Sequence, residues 1–306
     1  VPRGFFLPVT PGTKYVTLGG AIANDIHGKN HHVAGTIGRH IPAFELVRSD
    51  GSRRLCSPRE NSDWYAATIG GLGLTGLITW ARLRLHPIVS RLIDYEAIQF
   101  HGIDEFLDIT RQNQHIPFTV SWVDCASTGS NFARGIFMLG DHSAIPAPLT
   151  PSPEPKLTFP FDAPGFTLNH TTVSLFNSLY FHKQRKPRVQ ALIDYEPFFY
   201  PLDKVLHWNR MYGKRGLLQF QCAIPWEHAR EGTVAIHDYV EKADDLLGIP
   251  LSPVSVLQYT VKSLKIGDVA NAYDSHIEMR SISSFNAQPR VYMEVNPTSD
   301  ADQIKT

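Results

Sequence analysis

Between Asn24 and His32 the chain places three histidines, a lysine, two asparagines and an aspartate, within the stretch GGAIANDIHGKNHH (Gly19–His32). These side chains supply proton acceptors, a positive point charge and paired hydrogen-bond donors. Gly19, Gly20, Ala21 and Ala23 beside them carry almost no side chain, so their backbone amides can approach a ligand closely. The preceding residues add Pro11, Gly12, Thr13 and Thr17, and the small or hydroxyl-bearing character persists to Ala23 and Asn24. Such a surface suits a long phosphorylated cofactor held by amides and hydroxyls; a tight turn with a solvated polar face is the plainer alternative. His27 and His31 have the i, i+4 spacing of two metal ligands on a helix. Gly28 argues against a helix there, and no Glu occupies the place it has in a metalloprotease helix, so no metal site is expected.

Two further constellations carry chemistry. In LLQFQC, Gln219 and Gln221 share one face of an expected strand, close in sequence to Tyr200, Trp208, Asn209 and Tyr212, an aromatic and polar set able to close a cavity. Gly71 to Gly76, GLGLTG, has the three-glycine spacing of a nicotinamide-binding turn, with Asp94 and Glu96 about twenty positions on. In that turn the last glycine opens a helix. Here the glycines feed LITWARLRL (Leu77–Leu85), which alternates like a strand, so they are read as letting backbone pass close to other backbone or to a flat ligand.

The elements that must hold these residues form an α+β pattern. AFELVRSDGSRRLCS reads as a hairpin around Asp50-Gly51, and DWYAATIGG as a helix capped by Asn61 or Ser62 and ended by paired glycines. In LITWARLRL, Leu77, Thr79, Ala81, Leu83 and Leu85 are assigned one face. IDEFLDITRQNQ and PLDKVLHWNRMYG are expected as helices and TVSWVDC, RGIFMLGD, LLQFQCAIP and RVYMEVNP as strands. EHAREGTVAIHDYVEKADDLLG is expected as an amphipathic helix. Seven prolines between Ala144 and Gly165 mark a loop. The texture changes after His86-Pro87, which places a boundary near residue 90.

The chain has 306 residues, enough for a large core, and Lys plus Arg equals Asp plus Glu at 29 each. A zero net charge provides no general field for nucleic acid, so any anion must be met locally. Cys56, Cys125 and Cys222 lack CxxC spacing, and no run long enough for a membrane span occurs. A cytoplasmic location is expected, with peripheral membrane contact at most, for which Leu149, Phe159, Phe161 and Phe166 are candidates.

LPVTPGTKYVTLGGAIANDIHGKNHH, then GTIG, ATIGGLGLTGLI and FFYPLDKVLHWNRMYGKRGLLQFQ, in this order, closely resemble the decaprenylphosphoryl-β-D-ribose oxidases, a branch of the vanillyl-alcohol-oxidase-type flavoproteins. The resemblance is dense over residues 1–90 and good over 190–225. It implies part of an FAD-binding domain in residues 1–90 and, in 91–306, a substrate domain whose antiparallel sheet is flanked by helices and covers the flavin. That family oxidises the ribose 2-hydroxyl of a polyprenyl-phosphate sugar to a ketone, and a partner reductase completes epimerisation to arabinose, a cell-wall precursor. Position by position, the resemblance implies that Pro11, Gly12, Thr13, Thr17, Gly19, Gly20, Ala23, Asn24 and His27 line the FAD. Gly71, Gly73, Thr75, Gly76 and Ile78 complete that wall, and Lys29, Tyr200, Gln219 and Gln221 face the substrate with His27.

Family members also carry a glycine-rich pyrophosphate loop ahead of the proline-glycine segment and a C-terminal return with a lysine near the flavin. Neither has a match here, so an internal piece of a longer protein is expected. The competing expectations are a different flavin-linked oxidase acting on an alditol, lactone or alcohol, and an inactive fragment or binding module that does not hold FAD alone.

Overall fold

A computed structural model describes residues 1–150, 155, 157–167, 169–213, 218–221, 224–236 and 292–295. Its first part is built on the Asp50-Gly51 turn. Arg48 N–H donates to Ser52 O at 2.9 Å, and Gly51 supplies the positive φ of 79° that joins the strands of the hairpin. The elements are β1 (Phe5–Phe6), α1 (Leu18–Ala23), α2 (His31–Ala34), β2 (Ala43–Val47), β3 (Arg53–Cys56), α3 (Ser62–Thr68), β4 (Leu77–Arg82) and β5 (His86–Pro87). Strands β3-β2-β4 make an antiparallel sheet, and β1 pairs with β5. Ile22 of α1, Ile37, Ile41, Phe44, Leu46 and Cys56 are buried together, with Trp64 and Tyr65 of α3 packed against them. Asn61 occupies the N-cap of α3 at φ 47°, but its amide donates to Leu55 O instead of capping the helix.

The face assignment in LITWARLRL is corrected. Leu46 pairs with Ile78 and Glu45 with Trp80, so Thr79 is an extra residue opposite that step. The bulge shifts the alternation by one. Ile78, Ala81 and Leu83 pack on the core, while Leu77 is exposed.

The second part comprises β6 (Leu92–Phe100), α4 (Ile103–Gln112), β7 (Phe118–Val123), β8 (Gly135–His142), β9 (Leu157–Thr158), α5 (His170–Lys183), β10 (Arg188–Asp194), α6 (Tyr195–Phe199), β11 (Val205–Leu206), β12 (Leu218–Gln221) and β13 (Tyr292–Val295). Four antiparallel strands lie in the order β10-β6-β8-β7. Successive residues of these strands bury on opposite faces. Ile98, Phe100, Val123, Phe137 and Leu139 pack with Ile103 and Phe106 of α4, whereas Ala97, Trp122 and Ile136 pack with Phe181 of α5. A helix covers each face, so β7 is buried throughout. Asp124 and Arg134 form a buried ion pair at 2.9 Å, and Asn177 of α5 donates to the same carboxylate at 2.8 Å. A third cluster joins Phe6 of β1 to Phe118, Tyr195, Phe198, Phe199 and Tyr200, tying the first part to the end of this sheet.

PLDKVLHWNRMYG is not a helix. Val205 and Leu206 pair with Leu157 and Thr158, His207 takes a left-handed φ of 56° that stops regular structure, and a short 3-10 turn (Trp208–Tyr212) follows, closed by Gly213. The proline-rich stretch therefore contains a strand, β9. RVYMEVNP supplies β13, which pairs antiparallel with β12. Of the helix expected over 227–248, residues 229–236 are helical, Glu227 and His228 belong to a 3-10 turn (Trp226–His228) that leads into them, and 237–248 lie outside the described residues, as do Cys222 and most of 249–306. Among the described residues no helix is long and apolar enough to cross a membrane.

Candidate functional site

The two glycine-bearing stretches, fifty positions apart in the sequence, meet at the end of α1. Thr17 caps that helix, its hydroxyl accepting from Gly20 N–H at 3.0 Å. At the other end Gly70 N–H donates to Ile22 O and Leu72 N–H to Ala23 O, at 3.0 and 2.8 Å, and the Asn24 amide donates back to Gly20 O. The loop Gly71–Gly76 thus lies against Ala23 and Asn24.

The glycines divide into two kinds. A Cβ on Gly28 would stand 2.6 Å from Thr10 O and one on Gly20 2.9 Å from the Thr17 hydroxyl, while those on Gly71 and Gly76 would collide with Ala67 O and Val47 O. These four permit close packing of backbone. Gly12, Gly19 and Gly73 have nothing within 4 Å of where a Cβ would be. These three have bare, open sides, and near Gly19 the first turn of α1 leaves N–H groups that no helical carbonyl can reach. Tyr15 and Leu18 in the first stretch and Leu72 and Leu74 in the second are exposed. Thr13 turns inward on its own segment, accepting from Tyr15 N–H, and Pro11 is half-buried. Thr75 donates to the Thr68 hydroxyl, and Ile78 packs on the core.

The polar residues that follow α1 are drawn under the second part. His27 bridges Thr36 through backbone, and its ring meets that of His31 edge-on at 5.5 Å; burial pushes its pKa down, which favours the neutral imidazole. Of His27 and His31 only His31 belongs to a helix, α2, in agreement with Gly28 breaking the segment. Lys29 is 8% exposed. Its carbonyl accepts from Thr119 N–H of β7 at 2.9 Å, and among the described residues no carboxylate pairs with its amine. Desolvation lowers the Lys29 pKa to about 8.

Thr10, whose carbonyl lies against Gly28, hydrogen-bonds the Tyr200 hydroxyl at 2.8 Å. Burial pushes that phenol up to about 12, opposed by the Thr10 bond. Next to it Asp203 accepts from Lys14 N–H at 2.7 Å through Oδ2, and Lys14 Nζ meets Glu196 at 3.1 Å. Two buried oxygens, Asn30 Oδ1 and Asp203 Oδ1, have no partner among the described residues, although Asn30 donates to Pro8 O. Buried oxygens left in this state are suited to donors from a ligand or water.

Thr10 thus touches both Gly28, next to Lys29 in the sequence, and the Tyr200 hydroxyl. Gln219 and Gln221 lie on β12, paired in register with Glu294 and Tyr292 of β13. Sequence reading noted Asn30 among the polar residues of its stretch but did not single out Thr10, Lys14, Glu196 or Asp203. Thr10 sat inside a noted motif, but its partner is 190 positions away and no local periodicity announces such a pair.

Residues 1–57 match the family model described as an FAD binding domain. The chain is 34% identical over 244 residues to decaprenylphosphoryl-beta-D-ribose oxidase of Mycolicibacterium smegmatis, covering 76% of this chain and 52% of that protein. This chain is a relative of the FAD-linked oxidases. Cytokinin dehydrogenase 3 of Arabidopsis thaliana is 31% identical over 129 residues, covering 42% of this chain and 22% of that one. Delta(24)-sterol reductase of Homo sapiens is 36% identical over 84 residues, covering 28% and 16%. The chain spans about half the length of the ribose oxidase it matches. FAD is the cofactor, and the bare backbone at Gly12 and Gly19 fits an elongated dinucleotide.

Proposed function

We propose that this chain belongs to an FAD-linked oxidoreductase that oxidises a secondary sugar hydroxyl, the 2-hydroxyl of a ribose-like sugar on a polyprenyl phosphate. In this reading residues 1–90 are part of an FAD-binding domain of the vanillyl-alcohol-oxidase type, and residues 91–306 form the substrate domain. The observation that carries the proposal is that Lys29 is buried and, among the described residues, without a carboxylate, on the segment that follows α1 and next in sequence to Gly28, which packs on the Thr10 that bonds Tyr200. A buried amine that titrates near pH 8 serves either as a charge for a phosphate or as a proton acceptor for a hydroxyl.

Bound FAD supplies the acceptor for the hydride leaving the carbinol carbon. We assign Pro11, Gly12, Thr13, Thr17, Gly19, Gly20, Ala23, Asn24, Gly71, Gly73, Thr75, Gly76 and Ile78 to its wall, with neutral His27 against it. Gly12, Gly19 and Gly73 are the members with room for direct contact. Lys29 holds the phosphate or takes the hydroxyl proton. Tyr200, fixed by Thr10, orients the sugar, and Gln219 and Gln221 are assigned to its other hydroxyls. A separate reductase would then turn the ketone into the epimeric alcohol. The two relatives with other substrates share only short parts of the chain, so they support the cofactor reading and not a rival substrate.

Gly19→Val tests the cofactor assignment. Because a Cβ there meets nothing, the variant is expected to keep the thermal midpoint of the flavin-free protein while losing FAD affinity in a fluorescence titration. Unchanged affinity would remove Gly19 from the wall, and a wild-type protein that takes up no flavin would refute the whole reading. A polyprenyl-phosphate ribose should reduce an artificial acceptor where free alditols do not.

A further inference from the structure

Helix α5 is apolar on two opposite sides. Val173, Asn177 and Phe181 are buried against the sheet, and Tyr180 packs on Trp122. At 100° per residue, Leu175 and Leu179 point the other way and Phe176 flanks them, its ring stacked on Tyr180; the three are 60%, 65% and 60% exposed. Asn169 fixes the start of the helix with a reciprocal capping box to Thr172. Ahead of it, Phe161 is also exposed.

The far end of the helix runs into Lys183, Arg185, Lys186 and Arg188, four cations in six positions. All four are exposed. Arg188 pairs with Glu96 at 2.7 Å, and the other three have no ion pair among the described residues. In a chain whose acids and bases balance at 29 each, this is a local excess of positive charge beside an outward apolar stripe.

We infer that α5 and the basic turn after it dock on an anionic lipid surface. The stripe of Leu175, Phe176 and Leu179 enters the headgroup boundary while Lys183, Arg185 and Lys186 meet lipid phosphates. A rigid helix about 20 Å long, apolar outward with cations at one end, has the form of an interfacial helix. The charge favours anionic lipid over a second copy of the chain, which would set cations against cations. The inference stands apart from the proposed reaction, since it needs neither flavin nor sugar.

Flotation with vesicles tests it. The purified 306-residue chain is expected to float with phosphatidylcholine mixed with phosphatidylglycerol, and far less with phosphatidylcholine alone or at raised salt. Lys183→Glu with Lys186→Glu should lower partitioning by at least about 25-fold, at about fivefold per lost cation. Phe176→Ser with Leu179→Ser should abolish it with helical content unchanged. Failure of the wild type to float, or flotation indifferent to both double variants, overturns the inference. So does loss of self-association on sizing in the Phe176→Ser, Leu179→Ser variant, which would make a second copy the occupant.

Discussion

Lys29→Met offers the most direct examination of the buried amine. Burial lowers the Lys29 pKa from 10.5 to about 8, which at 1.36 kcal/mol per pKa unit is about 3 kcal/mol between its protonation states. Between pH 8 and 10.5 the unfolded chain holds a proton that folded Lys29 has released. Raising the pH through that window therefore favours the folded state, and the cost of the buried charge is fully present below pH 8. Urea unfolding of wild type and variant at intervals from pH 7 to 10.5 would measure it. Every other titrating group is common to the two proteins, so the difference between their curves isolates Lys29. Wild type should gain about 3 kcal/mol relative to Lys29→Met across the window. A bound sugar phosphate should raise the Lys29 pKa and move the window up. A flat difference would mean that the amine reaches water or an anion in the folded protein. A difference of the opposite sign would mean that it is paired. Either result would remove the physical basis for Lys29 as a phosphate or proton site.

Two further perturbations bear on the joint between the parts. Tyr200→Phe leaves the buried Thr10 hydroxyl without its partner and should cost about 1–3 kcal/mol in denaturant unfolding, while Tyr200→Phe with Thr10→Val should cost less than the two single changes added together. Gly28→Ala forces a methyl to within 2.6 Å of Thr10 O and should destabilise by about 1–3 kcal/mol; combined with Tyr200→Phe its effect should be non-additive, since both act through Thr10.

The local elements of this chain were legible where the signal was local. The Asp50-Gly51 hairpin, α3 with its terminating glycines, α4 and strands β7, β8 and β12 follow from turn residues and periodicity. Strand β6, LIDYEAIQF, was not singled out because both of its faces are covered: Ala97 packs towards α5 while Ile98 and Phe100 pack towards α4, which erases the polar–apolar alternation. Helix α5 escaped for the same reason, being apolar on its outer side too. Leu18–Ala23 reads as bare backbone because its two glycines disfavour a helix, yet Thr17 capping and the docking of Gly70 and Leu72 on its end hold it. The bulge at Thr79 is invisible without its partner strand. Of the candidate site, the small-residue loops and Lys29 stood out by composition. The Thr10–Tyr200 bond and the Asp203 carboxylate did not, because only the packed fold brings residues 10 and 200 together.

The short ribbon that pairs Phe5 and Phe6 with Pro87 and His86 has a consequence for biosynthesis. It clasps a span of about 80 residues, a closure whose entropic cost must be met by contacts made inside the span. On the ribosome both glycine loops are made before the clasp can close at residue 87, and Phe6 finds Phe199 and Tyr200 only after a further hundred residues have been made. The first part of the fold thus stays unlatched from the second until residues 199 and 200 have been made.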